Sequence, residues 1–147
     1  MLEIKVKSFK ELTKNELYNI LQLRSEVFVV EQDCVYQDLD GKDEKSLHVI
    51  GFKNKKVVAY TRIFKPGDYF ELASIGRVVV AKNERHHKYG FDIMNASIEA
   101  IKKYFKETSI KISAQVYLKN FYNNLGFKSL GNEYLEDNIP HIAMIKN

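Results

Sequence analysis

Three β-branched residues, Val78, Val79 and Val80, lead into a charged segment that ends at a glycine. The segment carries Arg85, His86, His87 and Lys88, then Tyr89, Gly90 and Phe91. A strand, a charged loop and a helix N-terminus in that order form a phosphate site. The first N–H groups of the helix have no internal partner and point at the anion. Gly90 would let a phosphate approach the backbone with no Cβ in the way. A solvated loop that opens a helix fits the same spacing. A second segment, from Tyr117 to Phe127, reads as a helix carrying Tyr122. Facing a cleft, its phenol could donate a proton. Facing inward, it would pack with Phe121 and Leu125.

Other chemistry-bearing residues carry weaker signals. Asp38, Asp40 and Asp43 lack the spacing of a calcium loop and read as a capping or substrate-facing acidic loop. Cys34 is the only cysteine, so no intrachain disulfide forms, which fits a reducing cytoplasm. It reads as a bystander thiol. His86 and His87 are adjacent and do not face one ion together, and we expect no metal. Lys102, Lys103 and Lys106 read as a solvated helix face.

The elements that must position these residues follow from periodicity. Residues 2–9 alternate as a strand. Thr13 and Glu16 form a capping box that opens a helix. Leu17, Ile20, Leu21, Arg24, Val27 and Phe28 follow at helical spacing. An acidic, turn-rich loop comes next. Strands are expected at 48–52, 57–64 and 72–80, the last ending in an apolar run suited to burial on both faces. A helix over 90–105, a strand over 109–114 and a helix over 117–125 follow, with Gly126 as the C-terminal cap. Strands at 127–131 and 139–145 finish the chain. The order β-α-β-β-β-α-β-α-β-β is a mixed α/β domain.

Composition narrows the function. The chain has 147 residues, enough for one domain (1–147) with its own core. Hydrophobic residues make up 45% and charged residues 29%, which argues against disorder. No apolar run approaches the ~20 residues of a membrane span, and the start of the chain lacks a secretory pattern. The net charge of +4 suits an anionic small molecule. The only arginines are Arg24, Arg62, Arg77 and Arg85, too few to favour base readout in nucleic acid. Aromatic residues total 12% and leave a homodimer interface open.

These motifs resemble the GNAT superfamily of acetyl-coenzyme A-dependent N-acyltransferases. Its pyrophosphate loop, Q/R-x-x-G-x-G/A, corresponds to Arg85-His86-His87-Lys88-Tyr89-Gly90, with Lys88 in place of the first glycine. Its later motif, N-x-x-A-x-x-x-Y-x-x-x-G-F, ends here in Tyr122-Asn-Asn-Leu-Gly126-Phe127. Gln115 stands at the asparagine position and Leu118 at the alanine position. The chain is more specifically similar to the ElaA-type subgroup. The residues that carry this likeness are Leu23-Arg24-Ser25-Glu26-Val27-Phe28-Val29-Val30-Glu31-Gln32, Tyr36-Gln37-Asp38-Leu39-Asp40-Gly41, Gly76-Arg77-Val78 and Ile139-Pro140-His141-Ile142.

The resemblance implies a central, mostly antiparallel sheet flanked by helices and splayed between its fourth and fifth strands. Acetyl-CoA would lie in that notch and pass its acetyl group to a primary amine, on a small molecule or a protein, by direct attack in a ternary complex. Val78, Val79 and Val80 would bind the pantetheine arm, and the Val78 N–H would hold the carbonyl oxygen. Amides around Arg85, Lys88, Tyr89, Gly90 and Phe91 would hold the pyrophosphate, with charge from His86 and His87. Gln115 and Asn120 would add coenzyme contacts, and Tyr122 would protonate the leaving thiolate.

The position where many members carry a glutamate base falls near Ser74. Glu31, Glu26 and His141 are then the candidate bases, in that order, or water relays the proton. Partial burial would raise the Glu31 pKa, and pairing with Arg24 or Arg77 is the structural alternative for both glutamates. Arg24, Glu26, Asp38, Asp40, Arg77 and His141 would face the acceptor, the acidic loop attracting a cationic amine. A noncatalytic acyl-CoA sensor, or a relative of acyl-homoserine lactone synthases, are the alternatives.

Overall fold

The computed structural model describes residues 2–147. Seven strands form one sheet: β1 (Glu3–Ser8), β2 (Leu47–Lys53), β3 (Lys56–Phe64), β4 (Ala73–Val80), β5 (Ile110–Gln115), β6 (Lys128–Glu136) and β7 (Ile139–Lys146). Their order across the sheet is β1-β2-β3-β4-β5-β7-β6. Every neighbouring pair is antiparallel except β4 and β5, which run parallel. That single parallel pair requires a crossover, and the helix following β4 supplies it.

Three helices cover the sheet. The first, α1 (Lys14–Arg24), opens at the predicted capping box: Glu16 N donates to Thr13 Oγ1 and Thr13 N to Glu16 Oε1. Glu16 also binds Lys7 of β1 at 2.7 Å, tying the helix start to the sheet edge. Beyond Arg24 the helix widens over Ser25–Glu31, where hydrogen bonds reach five residues back: Gln32 N donates to Val27 O and Cys34 N to Val29 O. The second, α2 (Tyr89–Ala100), widens in the same way over Ile101–Phe105. One 3-10 turn, Val116–Leu118, leads into α3 (Lys119–Asn124), and Gly126 closes it at φ +96°.

The sheet has a core on each face. Val49 of β2 joins Ile93 and Met94 of α2 and Tyr122 of α3, while its neighbour Ile50 joins Ile20 and Leu23 of α1 and Val27 of the widened turn that follows it. This alternation places α1 opposite α2 and α3. Each fully buried aliphatic side chain contributes roughly 1.5–3 kcal/mol.

Two expectations change. Leu23 is buried on α1, whereas the predicted face residues Leu17 and Leu21 are half-buried. The strand expected at 127–131 runs on to Glu136. All nine residues of β6 are exposed, and its register shifts between Leu130 and Tyr134 around Gly131 at φ +76°. An exposed strand with a bulge shows no apolar alternation to read.

Candidate active site

The parallel pair supplies the site. β4 and β5 are paired at Ala73–Ile110 and Ser74–Lys111 and then separate. Beyond that point β4 stays with β3 and β5 with β7. A cleft of about 520 Å³ opens between them. Its walls are the ends of β4 and β5, its ends the 85–91 loop and the β6–β7 turn, and its rim the widened turn after α1. The splay also explains a departure from expectation. Val79 is buried, but Val78 and Val80 are half-buried and line the cleft, because β5 has moved away from them.

A bulge shapes the cleft wall. Between the pairs Arg62–Gly76 and Tyr60–Val79, β3 has one residue, Thr61, and β4 has two, Arg77 and Val78. Arg77 takes φ +50°, an uncommon conformation for a side chain of its size. Its guanidinium is held in compensation: Nη2 donates to Asp38 O at 2.9 Å, Nε lies 2.7 Å from Asp38 Oδ1, and the group sits over the Tyr36 ring.

At the α2 end, Arg85, Lys88, Gly90 and Phe91 line the cleft. Lys88 caps α2 in the left-handed conformation, φ +61°, at the position where the resemblance has glycine. Packing within the protein also bears on Gly90: a Cβ there would lie 3.3 Å from the Phe121 ring. His86 and His87 do not line the cleft. His87 faces Lys53, Glu84 and Tyr89, beside Leu2 and Ile4, and burial followed by the nearby positive charges lowers its pKa. Tyr89 is buried in that same direction. Asn120 is exposed and outside the cleft, whereas Gln115 lines it and accepts a hydrogen bond from Gln32.

Tyr122 both packs inward and borders the cleft. It is 6% exposed, packs edge-on to Phe121 and Phe127, and lines the cleft. Burial pushes its pKa well above the ordinary value, so the phenol keeps its proton at neutral pH.

The candidate bases separate clearly. Glu31 lines the cleft but grips Arg85 with both oxygens, at 2.6 and 2.8 Å. The Arg85 hydrogen bonds lower its pKa, against the expected rise. Its partner is therefore neither Arg24 nor Arg77. Glu26 is exposed and does not line the cleft. His141 is 6% exposed and does line it.

The acidic loop is spent on arginines. Arg24 is buried and binds Asp38 at 2.9 Å and Asp43 at 2.8 Å. Arg62 is buried and binds Asp40 at 2.6 Å and Asp43 at 3.0 Å. Burial raises the carboxyl pKa values, but Arg62 and Arg24 outweigh it and hold Asp40 and Asp43 below the ordinary range. Arg24, Asp38 and Asp40 do not line the cleft, so this loop positions Arg77 and does not itself face an acceptor. Beside it, buried His48 lies 2.6 Å from the Tyr60 hydroxyl, and burial lowers the His48 pKa.

Sequence reasoning gave no role to Tyr36, Ser113 or Glu136, all on the cleft. Tyr36 carried a signal in its place within a subgroup motif. Glu136 carried none, because the strand that presents it was expected to stop five residues earlier.

A sheet splayed at one parallel pair, with a loop and helix N-terminus at its open end, defines an acyl-CoA N-acyltransferase fold. Consistently, the sequence profile of the acetyltransferase (GNAT) domain matches residues 9–147, and the chain belongs to that family. Within the family it is a homologue of protein ElaA of Escherichia coli K12, 41% identical over 99% of this chain and 97% of that one. The crystal structure of E. coli ElaA superposes with a TM-score of 0.92, at 40% identity and complete coverage of both chains. An acyl-CoA N-acyltransferase from Pseudomonas aeruginosa also superposes at 0.92, with 37% identity and 99% of each chain covered. BjaI, a CoA-dependent acyl-homoserine lactone synthase, superposes at 0.78 over 99% of this chain and 82% of its own. Its 18% identity extends the likeness to the fold alone.

Proposed function

We propose that this protein transfers an acetyl group from acetyl-CoA to a primary amine by direct attack within a ternary complex. The observation that carries the reading is the end of β4–β5 pairing after Ser74–Lys111, which leaves the β4 edge bordering a cleft. Backbone groups at Val78 and Val80 replace the lost ladder with bonds to a pantetheine arm. Amides at Arg85, Lys88, Tyr89, Gly90 and Phe91 hold a pyrophosphate, helped by the N-terminal dipole of α2. Bound acetyl-CoA supplies the thioester. The Val78 N–H, beside the bulge at Arg77, would hold the thioester carbonyl oxygen, a donor worth roughly 3–4 kcal/mol as charge develops there. Tyr122 is the proton donor to the thiolate. The acceptor is a small molecule or a protein amine, and the setting we infer is the cytoplasm. No helix among the described residues is long and apolar enough to cross a membrane.

Calorimetric titration with acetyl-CoA, free coenzyme A and a long-chain acyl-CoA tests this reading. Micromolar binding of acetyl-CoA, with weaker binding of the long chain, is expected. No binding to any of the three would overturn it.

A further inference from the structure

The acceptor end of the cleft contains two hydrogen-bond acceptors with no donor between them. His141 Nδ1 lies 2.6 Å from Ile139 O. A carbonyl only accepts, so Nδ1 carries a proton, and the singly protonated ring has a bare lone pair at Nε2. Nε2 lies 3.5 Å from Glu136 Oε2. Glu136 is steadied by Ser113 Oγ at 3.1 Å, and no lysine or arginine among the described residues pairs with it. Two lone-pair atoms face each other across a gap that a donor with several N–H bonds would close.

We propose that Glu136 and His141 form the subsite for the acceptor's ammonium group, with Nε2 placed to take its proton, and that the acceptor is therefore a cationic primary amine. The inference rests on the acyl-CoA reading of the adjoining cleft. An ammonium has three donors and can bond the carboxylate and the imidazole together. The surroundings suit a cation. Glu136 and Asp137 are exposed at the turn and line the cleft. Tyr134 stacks on the His141 ring, and Gln115 is its uncharged cross-strand partner on β5. The cations nearby are committed, Arg77 to Asp38 and Arg85 to Glu31. Of the three candidate bases named from the sequence, Glu31 is committed and Glu26 lies outside the cleft.

The proton and bond changes balance. The ammonium gives one proton to Nε2. The freed lone pair forms the C–N bond as the C–S bond breaks. Sulfur takes the Tyr122 proton. The second nitrogen proton leaves to water, Tyr122 regains one from solvent, and His141 releases its own. One proton is released per turnover.

The test uses the full chain saturated with coenzyme A and 1,4-diaminobutane as the probe. Ring resonances of His141, assigned by their loss in His141→Gln, should shift on titration at pH 7.5. Glu136→Gln should weaken that binding at least tenfold, and 1,4-butanediol should shift nothing. Acetyl-CoA affinity of both variants, measured by calorimetry, should stay within about twofold. Unmoved His141 signals, or a Glu136→Gln variant that binds the diamine as tightly, would overturn the subsite. Failure of acetyl-CoA to bind the wild type would instead overturn the acyl-CoA reading, and the ring titration separates the two. In acetyl transfer to the diamine, His141→Ala should lose roughly 10²-fold or more in kcat and regain part of it with added imidazole. An unchanged kcat would remove the proton-accepting role.

Discussion

Two carboxylate clusters lie on either side of Arg77, and they use their charges in opposite ways. Asp38, Asp40 and Asp43 meet Arg24, Arg62 and Arg77 in a buried lattice of close ion pairs. Glu136, across the cleft, has a serine and an imidazole near it but no partner cation among the described residues. Every carboxylate of the first cluster has an arginine partner in the free protein, although buried Arg62 Nε has no hydrogen-bond acceptor. The second lacks a donor that a ligand can bring. Residue type alone does not separate structure from function here; the completeness of partnering does.

The largest effect should come from breaking the first cluster. Asp43→Ala removes a ligand from both Arg24 and Arg62, each buried, so uncompensated charge remains inside. A loss of about 3–5 kcal/mol is expected, read as a fall in the urea midpoint. A midpoint within experimental error of the wild type would erase the contrast between the clusters. Next is Tyr122→Phe, which acts on the cleft alone. It should lower kcat roughly 10²-fold or more and leave acetyl-CoA affinity and urea stability nearly unchanged. Equal kcat would leave Tyr122 a packing residue.

A smaller effect reads the first cluster by pH. His48, Asp40 and Asp43 all have lowered pKa values in the folded protein. Each is therefore protonated more readily in the unfolded chain, and stability falls as pH drops below its ordinary value. Loss should begin below about pH 6.5 through His48 and resume below about 3.8 through the aspartates. His48→Gln should remove the first stage only, as urea midpoints from about pH 8 down to about pH 3 would show. The smallest effect belongs to Glu31→Gln. The Glu31 and Arg85 side chains are 29% and 43% exposed, so their pair is screened by water. A stability change under about 1 kcal/mol and a kcat within a few-fold of wild type are expected. A collapse in kcat would return Glu31 to the role of base.

Local signals in the sequence were read well where one short segment decides the structure. The Thr13–Glu16 capping box, the left-handed Gly126 and the order of all seven strands needed no distant partner. The splay came through the family resemblance, because the parting of two strands leaves no trace in either one. Charge partners were the weak point. Glu31 and Arg85 are 54 positions apart, and Arg24 and Asp38 are 14 apart. No periodicity relates such residues, so the acidic loop read as free and Glu31 as a base. Val78 and Val80 misled for a related reason: their apolar character serves a cleft and a ligand arm as well as it serves a buried ladder.

The junction at Ala73–Ile110 and Ser74–Lys111 has a mechanical meaning as well. Four strands lie on one side of it and three on the other, and two residue pairs are the whole seam between them. Elsewhere the sheet is stitched along its strands; here it is basted. Whatever occupies the gap becomes part of the fabric, and each round of filling and emptying works the same short seam. Ile93 and Met94 of α2 and Phe127, just before β6, share one buried core with Ala73 and Ile110 of the seam. They are the lining that keeps the two panels in one garment while the seam is open.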